Sequence, residues 1–138
     1  MRPYPKPIHK KREFKRPAVK ESVPLEITEQ STVIDWLRIH KILHTGMSVD
    51  RRWSRLYGYV PGVPDILCFD KPYGLIKNGL IPVGAAIELK RVKGGVISPE
   101  QAEWHIKLIA RGWAVKVAYG ADDAIKFLEA CGYAEKFA

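Results

Sequence analysis

The sequence has 138 residues, 46% of them hydrophobic and 28% charged, with a formal net charge of +8 at pH 7. This length suits one domain with a buried core. No apolar run approaches the roughly 18 residues that a membrane helix needs. The basic N-terminus is not followed by the apolar run of a signal peptide. Cys68 and Cys131 form no metal-binding or redox motif, so we expect reduced core cysteines in a cytoplasmic protein.

The excess positive charge is concentrated at the N-terminus. Residues 1–20 contain eight Lys or Arg against one Glu, whereas the rest of the chain carries 15 basic and 14 acidic side chains. Four prolines within 1–20 and the lack of apolar periodicity predict a flexible basic arm over 1–24, followed by one domain over 25–138. The arm suits contact with a phosphate backbone, and a solvated tail that aids solubility is the alternative. Its candidate DNA contacts are Lys10, Lys11 and Arg12.

The first predicted element is a helix from Ile27 to about Thr45, because apolar residues recur at helical spacing and Gly46 ends the pattern. The polar and aromatic stretch 47–62 predicts irregular structure or a short hairpin, with a short strand placed within 52–60.

Two strands are predicted next, at Ile66–Phe69 and Ile81–Lys90. Lys-Pro and Asn-Gly within 70–79 are turn signals, and a connection of this length suits a hairpin between the strands. A flexible basic loop is predicted over 91–95.

Ser98 is predicted to begin the best-signalled helix, because it is a natural N-cap, Pro99 fits the first helical position and Gln101 completes a capping box. Gly112 is predicted to end this helix. Its predicted inward stripe consists of Ala102, Ile106 and Ile109.

The alternating residues 113–119 predict a further strand, and a last helix is predicted from Asp122 to about Cys131. The predicted order is α-β-β-β-α-β-α, which is a mixed α/β domain with a small central β-sheet flanked by helices.

The candidate chemistry lies on the two predicted hairpin strands. Glu88 and Lys90 share one strand face, and Asp65 begins the neighbouring strand, so pairing the strands could bring its carboxylate beside Glu88. Two carboxylates on a rigid sheet suit a hard divalent cation such as Mg²⁺, and a lysine beside them suits phosphodiester hydrolysis. An ordinary solvent-facing strand is the alternative explanation for the alternating residues.

The motifs "GVPD" (62–65), "ELK" (88–90) and "SPEQAEW" (98–104) occur in this order. With them, residues 26–130 resemble the VRR-Nuc (virus-type replication-repair nuclease) domain of the PD-(D/E)XK nuclease superfamily. The resemblance implies a restriction-endonuclease-like core and an Mg²⁺- or Mn²⁺-dependent DNA endonuclease. It further implies action on branched DNA such as Holliday junctions, as a homodimer, in phage replication, recombination or repair.

The resemblance also implies roles for individual residues. Asp65, Glu88 and the backbone carbonyl of Leu89 would bind the metal, Lys90 would be the catalytic lysine, and Gln101 would face the site. Gln101 is explained equally well by the capping box. Glu29 on the first helix is a further candidate ligand, with Glu26 as the competing residue. A favourable interaction with the helix dipole is the alternative explanation.

Other candidates have weaker signals. His40 and His44 are spaced like a zinc-chelating pair, but a surface or hydrogen-bonded pair is favoured because no third ligand is near in the sequence. The further candidates for phosphate contact, with a solvated surface as the alternative, are Arg51, Arg52, Arg55, Arg91 and Lys93.

Two other functions stay open: a catalytically inactive nucleic-acid-binding module of the same fold, and a scaffolding protein that binds nucleic acid through its arm.

Overall fold

The computed structural model describes residues 26–46 and 60–135. Their elements are α1 (Glu26–Ile39), β1 (His44–Gly46), β2 (Ile66–Cys68), β3 (Ala85–Lys90), α2 (Pro99–Ala110), β4 (Ala114–Tyr119) and α3 (Ala121–Ala130), with short 3-10 helices at Tyr73–Leu75 and Tyr133–Glu135. The order matches the predicted α-β-β-β-α-β-α, although its first strand, β1, lies at 44–46 and not within 52–60. No helix within the described ranges is long and apolar enough to cross a membrane.

The four strands form one mixed sheet in the order β1-β2-β3-β4. β1 and β2 are antiparallel, as are β2 and β3, whereas β3 and β4 are parallel and joined through α2. The hairpin register pairs Ile66 with Ile87 and Cys68 with Ala85. This register confirms the predicted hairpin and places Asp65, one residue before β2, at the level of Glu88.

α1 and α3 cover one face of the sheet and α2 covers the other. The core on the first face combines Val33 and Leu37 of α1, Ile87 and Leu89 of β3, and Leu128 of α3. Cys68 and Cys131 are unpaired and buried, as predicted. α2 contributes no residue to this core cluster; it packs on the opposite face, where it meets the polar side chains of β3.

The prediction that the first helix continues to about Thr45 is wrong, because α1 ends at Ile39 in a Schellman motif. The N–H of Ile42 donates to Leu37 O, the N–H of Lys41 donates to Arg38 O, and Lys41 has a positive φ of 54°. Ile42 and Leu37 are both buried in the core, which supplies the hydrophobic contact of this motif. The chain then turns into β1, a strand missed in the sequence.

The other boundaries shift by a few residues. β2 ends at Cys68 rather than Phe69, β3 begins at Ala85 rather than Ile81, and α3 spans Ala121–Ala130 rather than 122–131. Most of the irregular stretch 47–62 and of the strand placed within 52–60 lies outside the described residues, as does the arm.

The predicted inward face of α2 is also wrong. Ile106 and Ile109 are 69% and 59% exposed, whereas His105 and Leu108 are the buried residues of this helix. The helical period was correct, but α2 faces a strand surface that carries Glu88 and Lys90, so a polar side chain is turned inward.

Candidate active site

β3 is buried on both faces although one of them carries charges. Glu88 is 1% exposed and Lys90 is 9% exposed, and all six residues of the strand are buried. The solvent-facing alternative for Glu88 and Lys90 is therefore wrong. Charged side chains are rarely buried without a partner or a ligand, because removing them from water is costly.

Asp65 reaches the same region from the start of β2. Its Oδ2 accepts a hydrogen bond from the backbone N–H of Leu89 at 2.8 Å, and its carboxylate lies close enough to raise the pKa of Glu88. The two predicted carboxylates and Lys90 are therefore brought together.

The "GVPD" turn is fixed in place by close backbone packing. Gly62 has a φ of +97°, and a Cβ at this position would lie 2.5 Å from the carbonyl carbon of Glu100. Only glycine accommodates both the left-handed conformation and this approach. The turn that carries Asp65 is thereby packed against the first turn of α2, next to Gln101.

Gln101 completes the predicted capping box and also contacts Glu88. The side chain of Ser98 accepts from Gln101 N at 3.2 Å, and Gln101 Oε1 accepts from Ser98 N at 2.9 Å, which completes the capping box. The other end of the amide, Nε2, donates to Glu88 Oε1 at 2.7 Å. A cap residue thus links the start of α2 to a candidate metal ligand.

The surroundings of Glu88 favour its neutral form in the absence of a cation. Burial is the main cause, and the neighbouring Asp65 adds to it; together they raise the pKa of Glu88 to about 8. Lys90, with Nζ 3.6 Å from Glu88 Oε1, acts in the opposite direction without overcoming them. A bound divalent cation would displace this proton.

His105 is the site residue that the sequence did not reveal. It is 9% exposed, and its Nε2 lies 3.8 Å from Glu88 Oε2. Burial, with the nearby Lys90 charge, lowers the pKa of His105. The one available signal was its position four residues after Gln101, which puts both side chains on one face of a helix.

The described donors suit a hard cation that keeps water or phosphate among its ligands. Glu88 Oε2 is buried and, within the described ranges, has no hydrogen-bond partner, although Asp65 lies beside this carboxylate. Among the same residues, no group of three or more His, Cys, Asp or Glu side chains could hold a metal. Two carboxylates without a third side chain are typical of Mg²⁺ sites rather than structural zinc sites.

The side chain of Glu29, on α1, reaches the start of α3. Its Oε2 accepts a hydrogen bond from Ala121 N, which suits a carboxylate at a helix N-terminus. The next residue, Gln30, donates from Nε2 to the backbone carbonyl of Asp65 at 3.4 Å. The role of Glu29 as a ligand, like that of the Leu89 carbonyl, stays a prediction.

The remaining candidates divide by location. Arg91 and Lys93 are exposed in the loop that follows Lys90. His40 Nδ1 lies 2.8 Å from Trp36 O and His44 Nδ1 lies 2.6 Å from Ile42 O, so both rings contact the backbone, and the zinc alternative has no support. The candidates outside the described residues are Lys10, Lys11, Arg12, Arg51, Arg52 and Arg55.

Comparisons with known proteins identify the fold. Neither a family model nor a curated protein matches the sequence. A solved structure described as a VRR_NUC domain protein superimposes with a TM-score of 0.59 at 23% identity, covering 78% of this chain and 88% of that one. Another, described as a VRR_NUC domain, gives a TM-score of 0.51 at 20% identity, with coverages of 75% and 94%. The chain therefore has the fold of the VRR-Nuc domain, as its motifs predicted.

Proposed function

We propose that this chain is a nuclease of the VRR-Nuc type that hydrolyses phosphodiester bonds of DNA and requires Mg²⁺ or Mn²⁺. The observation that carries the proposal is the convergence of the half-buried Asp65 with the buried Glu88 and Lys90 on this fold. A module that only bound nucleic acid would gain nothing from two carboxylates placed toward a phosphate.

The proposed roles come from the resemblance of the motifs, and the positions of the side chains support them. Asp65 and Glu88, with the carbonyl of Leu89, would hold the cation, and Gln101 fixes the orientation of Glu88 through its 2.7 Å hydrogen bond. When bound, such a cation would act as a Lewis acid that lowers the pKa of the attacking water and balances negative charge on the phosphate. Lys90 would orient the attacking water in line with the bond to be broken and would offset the negative charge that develops on the phosphate.

DNA is the proposed substrate because basic side chains lie next to the site. Arg91 and Lys93 are exposed directly after Lys90, and the basic arm adds charge for nonspecific contact with phosphates. Gly95 allows the loop to approach the site, since a Cβ there would lie 2.7 Å from Lys90 Cβ.

The finer assignment rests on the resemblance of the motifs. We infer an endonuclease that acts on branched DNA during phage replication, recombination or repair in the host cytoplasm. A domain with one such site needs two copies to cut two symmetrically placed strands, so a homodimer is the proposed assembly.

The experiment is a cleavage assay on labelled four-way junction, flap and linear duplex DNA, with Mg²⁺, Mn²⁺ or EDTA. Asp65→Asn and Lys90→Met are run beside the wild type, and light scattering on the junction complex gives its stoichiometry. Cation-dependent cutting that both variants lose, with preference for branched DNA, is the expected result. Binding without cutting would instead identify an inactive nucleic-acid-binding module.

A further inference from the structure

Two buried polar atoms face each other at the site without a hydrogen bond. Glu88 Oε2 and His105 Nε2 are 3.8 Å apart, which is too long for a hydrogen bond, and neither atom has a hydrogen-bond partner in the part of the chain that the structure describes. Native proteins pair nearly all buried polar atoms, so an unpaired pair of this kind calls for an explanation.

Stability alone does not explain a histidine at this position. Position 105 is buried beside Leu108 on the inward face of α2, where a leucine would fill the space without bringing in an unsatisfied nitrogen. Other polar side chains on this face have partners. Gln101 donates a hydrogen bond to Glu88 Oε1, and Lys90 forms an ion pair with that same oxygen at 3.6 Å.

We propose that His105 is a positioning residue for Glu88, donating from Nε2 to Oε2 and holding the carboxylate in the orientation that a divalent cation requires. A carboxylate has about four acceptor positions, so donors from Gln101 and His105 leave room for a cation. Groups that hydrogen-bond a metal ligand fix its orientation, and losing one typically lowers metal affinity about 10- to 100-fold. This inference rests on the proposed cation site at Asp65 and Glu88.

The test measures Mn²⁺ binding without DNA, by isothermal titration of the full chain, together with thermal unfolding in EDTA. His105→Leu removes the donor and keeps an apolar side chain of similar bulk, whereas His105→Gln keeps an N–H near the position of Nε2. We expect His105→Leu to bind Mn²⁺ at least about tenfold more weakly and to unfold in EDTA at the wild-type temperature or above. His105→Gln should recover most of the affinity.

Other outcomes identify which claim fails. Equal Mn²⁺ affinity in the wild type and His105→Leu would overturn the positioning role while leaving the cation site intact. A loss of affinity in His105→Gln as large as in His105→Leu would also overturn it, since the donor would then be irrelevant. A wild-type chain that binds no Mn²⁺ would overturn both this inference and the proposed function.

Discussion

Replacing Glu88 with Gln should stabilise the cation-free protein while abolishing its proposed activity. The fold raises the pKa of Glu88 from its ordinary value of 4.5 to about 8, so the folded protein holds a neutral side chain at neutral pH whereas the unfolded chain holds a carboxylate. Glutamine imitates the neutral form, and its Oε1 can still accept the hydrogen bond from Gln101. In the wild type, Glu88 must take up a proton on folding, which costs free energy at neutral pH. Glu88→Gln removes this cost.

The magnitude follows from this difference. One pH unit corresponds to about 1.4 kcal/mol, so protonating a group with an ordinary pKa of 4.5 at pH 7 costs about 3 kcal/mol. For a domain of this size, that free energy corresponds to a rise of about 10 °C in melting temperature.

The sign depends on pH. Because its folded pKa is raised, Glu88 contributes its full stability below about pH 4.5, and this contribution is lost as the pH rises through about 8. The advantage of Glu88→Gln should consequently be small at pH 5 and largest near pH 8. Excess Mg²⁺ should reduce the difference, because it stabilises only the wild type.

The assay is thermal unfolding in EDTA at several pH values between 5 and 8. Glu103→Gln is the matched control, since Glu103 is an exposed glutamate of α2 whose ion pair with Lys107 should contribute little. A Glu88→Gln protein that melts at or below the wild-type temperature at pH 8, with the control unchanged, would refute the conclusion that the fold holds a neutral Glu88.

Two further predictions separate helix capping from metal binding. Ser98→Ala should lower the free energy of unfolding, measured by denaturation, by about 1 kcal/mol and leave the Mn²⁺ affinity, measured by titration, unchanged. Gln101→Ala should lower both quantities, because Gln101 Nε2 also donates to Glu88. Equal Mn²⁺ affinities of the two variants would contradict this prediction. Glu29→Gln should destabilise the protein by about 1 kcal/mol, because Glu29 contacts Ala121 N at the start of α3. Its Mn²⁺ affinity decides the ligand role: a tenfold weaker affinity would make Glu29 a ligand, and an unchanged affinity would leave it only the contact with α3.

The parts of the fold that could be predicted are those encoded by local chemistry. The capping box at Ser98 and Gln101 is complete within four residues, and period-two alternation placed Glu88 and Lys90 on one strand face. The turn signals within 70–79 and the length of this connection then predict a hairpin, which brings Asp65 beside the same strand.

The misses have a common physical cause, which is that tertiary packing decided between local alternatives. α1 ends early because Lys41 adopts a left-handed conformation that usually belongs to glycine, supported by the burial of Ile42. The apolar residues of α2 predict the wrong inward face, because the surface of β3 that α2 covers is polar. His105 was missed for the same reason, since its importance lies in facing Glu88 and not in its sequence neighbours.

The most direct measurement is DNA cleavage by the wild type, Glu88→Gln and Glu103→Gln in parallel, with Mg²⁺ and with EDTA. The proposed nuclease predicts that the wild type and Glu103→Gln cut only with Mg²⁺ and that Glu88→Gln does not cut although it remains folded. Cutting by Glu88→Gln at the wild-type rate, or by any of the three in EDTA, would contradict the assignment of the Asp65, Glu88 and Lys90 cluster as a cation-dependent active site.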